Sequence, residues 1–154
     1  MALFRFRLET ALKLRRHAEE ESKKLLAQRI RALESKQQEM LSLLQQLTDA
    51  VQERRQLLEQ REFRSELMVY GLGWMEGLKE QMQTCQTAIA EAEQQVTAAR
   101  SALVMSRRGV KILETLRERR YQQWRVMENR RQERTSSDLA GIRWQAQHAS
   151  SSDS

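Results

Sequence analysis

Apolar side chains recur along this chain in alternating steps of four and three residues. From Leu26 the positions run Leu26, Ile30, Leu33, Gln37, Met40, Leu44, Leu47, Val51, Arg54 and Leu58. Such spacing keeps one line of side chains on one face of a helix and predicts a heptad seam. Gln37 and Arg54 interrupt it with polar groups, which fix register at some cost in stability. Upstream, Leu8, Ala11, Ala18 and Leu25 follow the same rhythm, with a one-residue slip before Leu26. A second seam runs Leu78, Met82, Cys85, Ile89, Ala92, Val96, Ala99, Leu103, Ser106, Val110 and Leu113. It turns polar at Arg117 and Arg120 and apolar again at Trp124 and Met127. The positions between are mostly Gln, Glu, Arg and Lys, as a solvated helix face requires. The first seam is rich in Leu and Met, the second in Ala, Ser and Cys. Large side chains facing small ones interdigitate and let two helices approach closely.

Between the seams lies S-E-L-M-V-Y-G-L-G-W-M-E-G, Ser65–Gly77, with three of the five glycines: Gly71, Gly73 and Gly77. Each glycine costs about 1 kcal/mol against alanine inside a helix, so the cluster predicts a turn. Leu8–Arg64 and Leu78–Arg134 flank it as arms of about 57 residues each. The expected fold is all-α, an antiparallel two-helix coiled-coil hairpin over residues 1–134. Its parts are a first arm at about 4–64, a tip at 65–77 and a second arm at about 78–134. Folding about residue 71 places Leu44 near Ala98–Ala99 and Leu26 near Leu116. The alternating start F-R-F-R-L-E has no strand partner in view and reads as the ragged start of a helix. Phe4 and Phe6 have little to bury them in a bare hairpin, so contact with a partner is expected there. Residues 135–154 are Ser-rich and without period, and are expected to form a disordered tail.

Composition narrows the chemistry. Among 154 residues there is no proline, aromatics are 5% and charged residues 31%, the balance of long helices. One cysteine permits no internal disulfide, and a reducing compartment fits. No run approaches the ~20 apolar residues of a membrane span, and no secretory leader pattern opens the chain. A cytoplasmic location is expected. The net charge of +6 is unevenly distributed: residues 107–134 hold ten Arg/Lys against four Glu, and residues 1–24 hold seven against four. In a hairpin those stretches meet at the open end. No phosphate-cradling glycine motif occurs. His17 and His148 are far apart, Cys85 sits on the apolar seam, and Glu19–Glu20–Glu21 with Lys23 and Lys24 reads as a solvated face. No enzymatic activity, catalytic residue, cofactor or metal is expected.

Three short patterns occur together: F-R-F-R-L-E-T-A-L-K-L-R-R at the start, Y-x-x-x-W-x-x-x-L at Tyr70–Trp74–Leu78, and K-I-L-E-T-L-R-E-R-R from Lys111. In this layout, over roughly residues 1–134, the chain resembles the FliJ family, flagellar members of the type III export stalk proteins. The resemblance implies an antiparallel coiled coil similar to the central shaft of rotary F-type ATPases. It implies binding within the hexameric export ATPase, contact with the cytoplasmic domain of the export-gate protein FlhA, and a part in handling export chaperones. Attachment to the inner-membrane export apparatus would then run through partners only. By the same resemblance, Tyr70, Trp74 and Leu78 face the gate, while Lys111, Arg117, Arg119 and Arg120 enter the ATPase ring. Gln81 and Cys85 depart from the family pattern in the next two turns. Leu67, Met68, Val69, Leu72 and Met75 add more apolar surface than a turn needs, which suits an exposed anchor. Two other readings remain: a generic coiled-coil scaffold, and a basic coiled coil binding nucleic acid through residues 107–134. Glu114, Glu118, Glu128 and Glu133 dilute that stripe, so nucleic acid is not an expected partner.

Overall fold

The computed structural model describes residues 2–60 and 64–152. Two helices make up almost all of it: α1, Glu9–Glu59, and α2, Ser65–Ser151. Among the described residues there is no strand and no positive φ. Glu9 and Glu66 place carboxylates in the first turns, where the helix dipole favours negative charge. Residues 2–6 carry no regular structure, and Glu9 N–H closes onto Phe6 O at 3.1 Å. The helical start expected at residue 4 therefore begins at Glu9.

The glycine cluster does not form the turn. Gly71, Gly73 and Gly77 lie inside α2, and a Cβ added at any of them would meet nothing within 4 Å. Their local cost is spread along a helix whose neighbours Met75 and Leu78 are buried at 9% and 2% exposure. Fully burying a side chain of that size contributes about 1.5–3 kcal/mol, enough to offset one glycine or two. The helices instead part between Glu59 and Ser65. Residues 61–63, the end of the expected first arm, lie outside the described residues.

By internal packing the chain divides into two units: Ala18–Ser106, and Met1–His17 with Arg107–Ser154. In the first, Leu43, Ala50, Met75, Leu78 and Cys85 form a buried cluster, with Met40, Leu47, Met82 and Ile89 packed against it. Ala92, Val96, Ala99 and Leu103 continue that face of α2. Three contacts set the register. Ser22 and Ser106 share a hydrogen bond of 3.1 Å, Arg29 donates to Gln95 at 2.8 Å, and the Cys85 thiol donates to Lys36 O at 3.4 Å. As the α1 number rises the α2 number falls, so the segments run antiparallel within this unit. The pairing of Leu44 with Ala98–Ala99 is thereby corrected: Leu43 packs in one cluster with Leu78.

The seam on α2 is the expected one throughout this unit. On α1 Leu26, Ile30 and Leu33 are partly buried as expected, and from residue 36 onward the line runs one residue earlier at every other position. Lys36, Leu43, Ala50 and Leu57 are wholly or partly buried, while Gln37, Leu44, Val51 and Leu58 are exposed. Met40 and Leu47 belong to both lines. Upstream, Leu33, Ile30, Leu26, Ser22, Glu19 and Leu12 are wholly or partly buried, while Arg29 and Arg15 are exposed.

In the second unit Leu12 is fully buried and Val110 is 5% exposed. Arg16 pairs with Glu114 at 3.3 Å and Arg117 with Glu9 at 3.1 Å. Gly109 lies under Arg15, whose guanidinium comes within 3.4 Å of where a Cβ would stand. The disordered tail expected from residue 135 is also corrected, because α2 continues to Ser151. Residues 153–154 of that tail lie outside the described residues. No proline interrupts the stretch, and its hydroxyls bond back to their own helix: Thr135 to Arg131 O at 3.0 Å and Ser151 to His148 O at 2.9 Å. Every described side chain from residue 131 onward is nonetheless exposed.

Placing Gly73 inside a helix has a direct test. Gly73→Ala is expected to raise stability by about 0.5–1 kcal/mol in urea or thermal melts. A drop of that size would mean the residue holds a turn.

Candidate partner-binding surfaces

The apolar end of the first unit is built by α2. Tyr70 and Trp74 are 79% and 54% exposed, beside the exposed Leu67, Val69 and Leu72. Leu67, Met68, Tyr70 and Trp74 form one wall of a shallow groove of about 400 Å³, with Ala50, Arg54 and Leu57 of α1 opposite. Leu78 does not share this exposure. Each four-residue step turns about 40° around an α-helix. From Tyr70 through Trp74 to Leu78 the line therefore rotates from solvent into the seam. Two of the three sequence-predicted gate residues are accessible and the third is core.

In the second unit, residues 2–8 lie along α2 and cover an aromatic cluster. Phe4 meets Tyr121 edge-on at 5.3 Å, Phe4 lies 5.9 Å from Trp124, and Tyr121 stacks on Trp124 at 5.9 Å. The Arg117 guanidinium sits 5.9 Å from the Phe4 ring centre while its Nε holds Glu9. Phe4 thus packs on its own chain rather than awaiting a partner. Beside it, Phe6, Leu8, Leu116, Arg120 and Trp124 line a groove of about 580 Å³.

Lys111, Arg117, Arg119 and Arg120 are all exposed, but they do not form one patch. Arg117 is tied to Glu9 and Phe4, and Arg120 lines the aromatic groove. Lys111 and Arg119 border a different groove, with Arg108, Ile112, Thr115 and Leu116. A basic sequence run wraps around a helix, and here it divides among three faces. Sequence reasoning missed the Phe4–Tyr121–Trp124 cluster. Its signal was the i, i+3 spacing of Tyr121 and Trp124, which puts both rings on one side of the helix.

The remaining candidates are structural. Cys85 is buried with its thiol bonded, and His148 stacks on Trp144 at 4.0 Å. Lys23 bridges Glu19 at 3.6 Å and Glu20 at 3.1 Å on the surface. Among the described residues no cluster of His, Cys, Asp or Glu could hold a metal, and no helix is long and apolar enough to cross a membrane.

A family model, that of the flagellar FliJ protein, matches residues 4–149. The chain belongs to the FliJ family. No curated protein and no solved structure matches it. The FliJ match covers α1, the accessible aromatics of α2 and the basic stretch alike, and runs past residue 134 into the exposed end of α2. Membership makes this a flagellar export-related protein, in a family of non-enzymatic export components.

Burial separates the three aligned residues experimentally. Leu78→Ala is expected to cost about 2–5 kcal/mol of stability, whereas Trp74→Ala should cost well under half of that. Urea midpoints for the two variants check this, and equal losses would place Trp74 in the core with Leu78.

Proposed function

We propose that this FliJ-family chain is a coupling stalk of the flagellar type III export apparatus. In this reading α1 and α2 form one antiparallel coiled-coil hairpin, supported by the opposed order of contacts within each unit. The basic unit engages the hexameric export ATPase, and the Tyr70–Trp74 surface engages the cytoplasmic domain of the export-gate protein. Export chaperones are further partners, nucleic acid is not, and the chain stands at the cytoplasmic face of the inner membrane through its partners alone.

The observation that carries the reading is the separation of two chemistries in two units. Exposed aromatic and aliphatic groups gather at residues 67–74 of one, and the arginine-rich stretch 107–134 belongs to the other. Exposed apolar clusters favour anchored, desolvating contacts. Distributed cations favour long-range attraction to an acidic surface and tolerate rotation against it. The scattering of Lys111, Arg117, Arg119 and Arg120 over several faces suits an element enclosed on all sides, as inside a ring.

Both contacts can be measured. Reversing Arg117, Arg119 and Arg120 to Glu should weaken binding to the export ATPase while helix content stays near wild type, because exposed ion pairs contribute little to stability. Unchanged ATPase binding at low and moderate salt would remove the ring assignment. Tyr70→Ala with Trp74→Ala should weaken binding to the gate domain tenfold or more, a loss of about 1.4 kcal/mol. Normal gate affinity in that double variant would leave the aromatics as a cover for the groove only.

A further inference from the structure

In the unit built from Met1–His17 and Arg107–Ser154, α2 turns Val110, Leu113, Tyr121 and Trp124 inward, all wholly or partly buried. The opposite face carries Arg108, Ile112, Thr115, Arg119, Val126 and Arg130, all exposed. Ile112 is 67% exposed and Val126 48%. Ile112, Arg119 and Val126 follow each other at seven residues, and Arg108, Arg119 and Arg130 at eleven. Both periods return to nearly the same angle on an α-helix, so these side chains share one line. Shallow grooves lie on either side of Arg119: one of about 540 Å³ along Ile112 and Thr115, the other of about 620 Å³ along Gln122 and Val126. Between Arg108 and Arg130 no carboxylate shares the line, and Glu133 takes the heptad position after Val126. Glu114 turns to Arg16, Glu118 lies about a quarter-turn away bonded by Gln122 at 2.8 Å, and Glu128 falls on the inward side.

We propose that this outward face of α2 is a second coiled-coil seam, which takes an amphipathic partner helix with aliphatic heptad residues and acidic flanks. Three features select that occupant. A straight ridge with a heptad aliphatic period is complementary to another helix, whose side chains seat in the grooves beside Arg119. The cations call for glutamate or aspartate at the partner's flanking positions. A second copy of this chain would bring like charges together along the seam. A bilayer needs a continuous apolar stripe, and here an arginine interrupts the stripe between Ile112 and Val126. The face from Arg108 to Arg130 is about 33 Å long, so the partner helix would run about six turns. This seam requires neither the ATPase nor the gate, although it shares Arg119 with the ring assignment.

The test uses the full chain and three synthetic peptides of about 25 residues. One has leucines at heptad spacing flanked by glutamates, the second has lysines in place of the glutamates, and the third shuffles the first. Binding is read by calorimetry near 0.1 M salt. The glutamate heptad peptide should bind at least tenfold more tightly than the other two. Ile112→Gln with Val126→Gln should weaken it at least fivefold, and so should Arg108→Gln with Arg119→Gln. Arg5→Gln with Arg7→Gln, cations of the N-terminal segment, should leave it unchanged. Circular dichroism verifies that each variant keeps its helix content. Equal binding of the shuffled peptide, or no binding of any peptide, would overturn the proposal. So would uptake onto phosphatidylglycerol vesicles that needs Ile112 and Val126, or self-association by sedimentation that those substitutions abolish. ATPase binding to the same variants is scored separately, so the ring assignment can fail while the seam stands, and the reverse.

Discussion

With only two long helices packed together, each helix has one face to bury and no third layer to cover the rest. That constraint accounts for the burial pattern. The buried hydrophobic residues all lie on the facing seams, with Leu12 and Leu78 the deepest. It also explains the polar groups found there. Ser22 meets Ser106 through a hydrogen bond, Lys36 offers its backbone carbonyl to Cys85, and Arg15 lies across Gly109. A narrow seam tolerates such residues because their polar ends reach bonds or solvent at its edge. A wide core would charge each of them the full cost of desolvation.

The same constraint decides what could be read from the sequence. On α2, from Leu78 to Leu113, small and aliphatic residues recur on one line in steps of four and three, and that line is the buried one. On α1 two lines compete. Leu43 and Leu44, Ala50 and Val51, and Leu57 and Leu58 are adjacent apolar pairs, so the pattern admits a seam through either member. The facing helix settles the choice, and its register is not visible in α1 alone. The break between the helices was misplaced for a related reason. Local propensity made Gly71, Gly73 and Gly77 a turn, but Met75 and Leu78 gain more from the seam than those glycines cost. Propensity is a local quantity, and the packing that overrode it belongs to the pair of helices.

Legibility of the candidate surfaces followed the same line. Tyr70 and Trp74 were found because large aromatics beside a glycine cluster had no layer to bury them. The resemblance groups Leu78 with them, although a four-residue step slowly turns into the seam. Arg117 is one of the ten cations of residues 107–134, yet its partners Glu9 and Phe4 are more than a hundred residues away in sequence. A charge count cannot show such a partner. The Phe4 cluster was hidden in the same way, since its members come from opposite ends of the chain.

Exposure therefore carries a different meaning here than in a compact domain. Scattered exposed aliphatics on a globular protein need no explanation, because polar atoms cannot cover its surface. On a helix that already buries one seam, exposed aliphatics at random positions would likewise be neutral. Ile112 and Val126 are not at random positions: they keep a heptad period on the face opposite the seam, and the charges along their line from Arg108 to Arg130 are cations. Both side chains stand exposed, so the packing of the helices does not call for that period. A regularity that contributes nothing within the chain must draw any stabilising effect from outside it. Tyr70 and Trp74 stand in the same relation to their unit. Burial inside the seam and order outside it thus divide the apolar residues into those that hold the helices together and those available to hold something else.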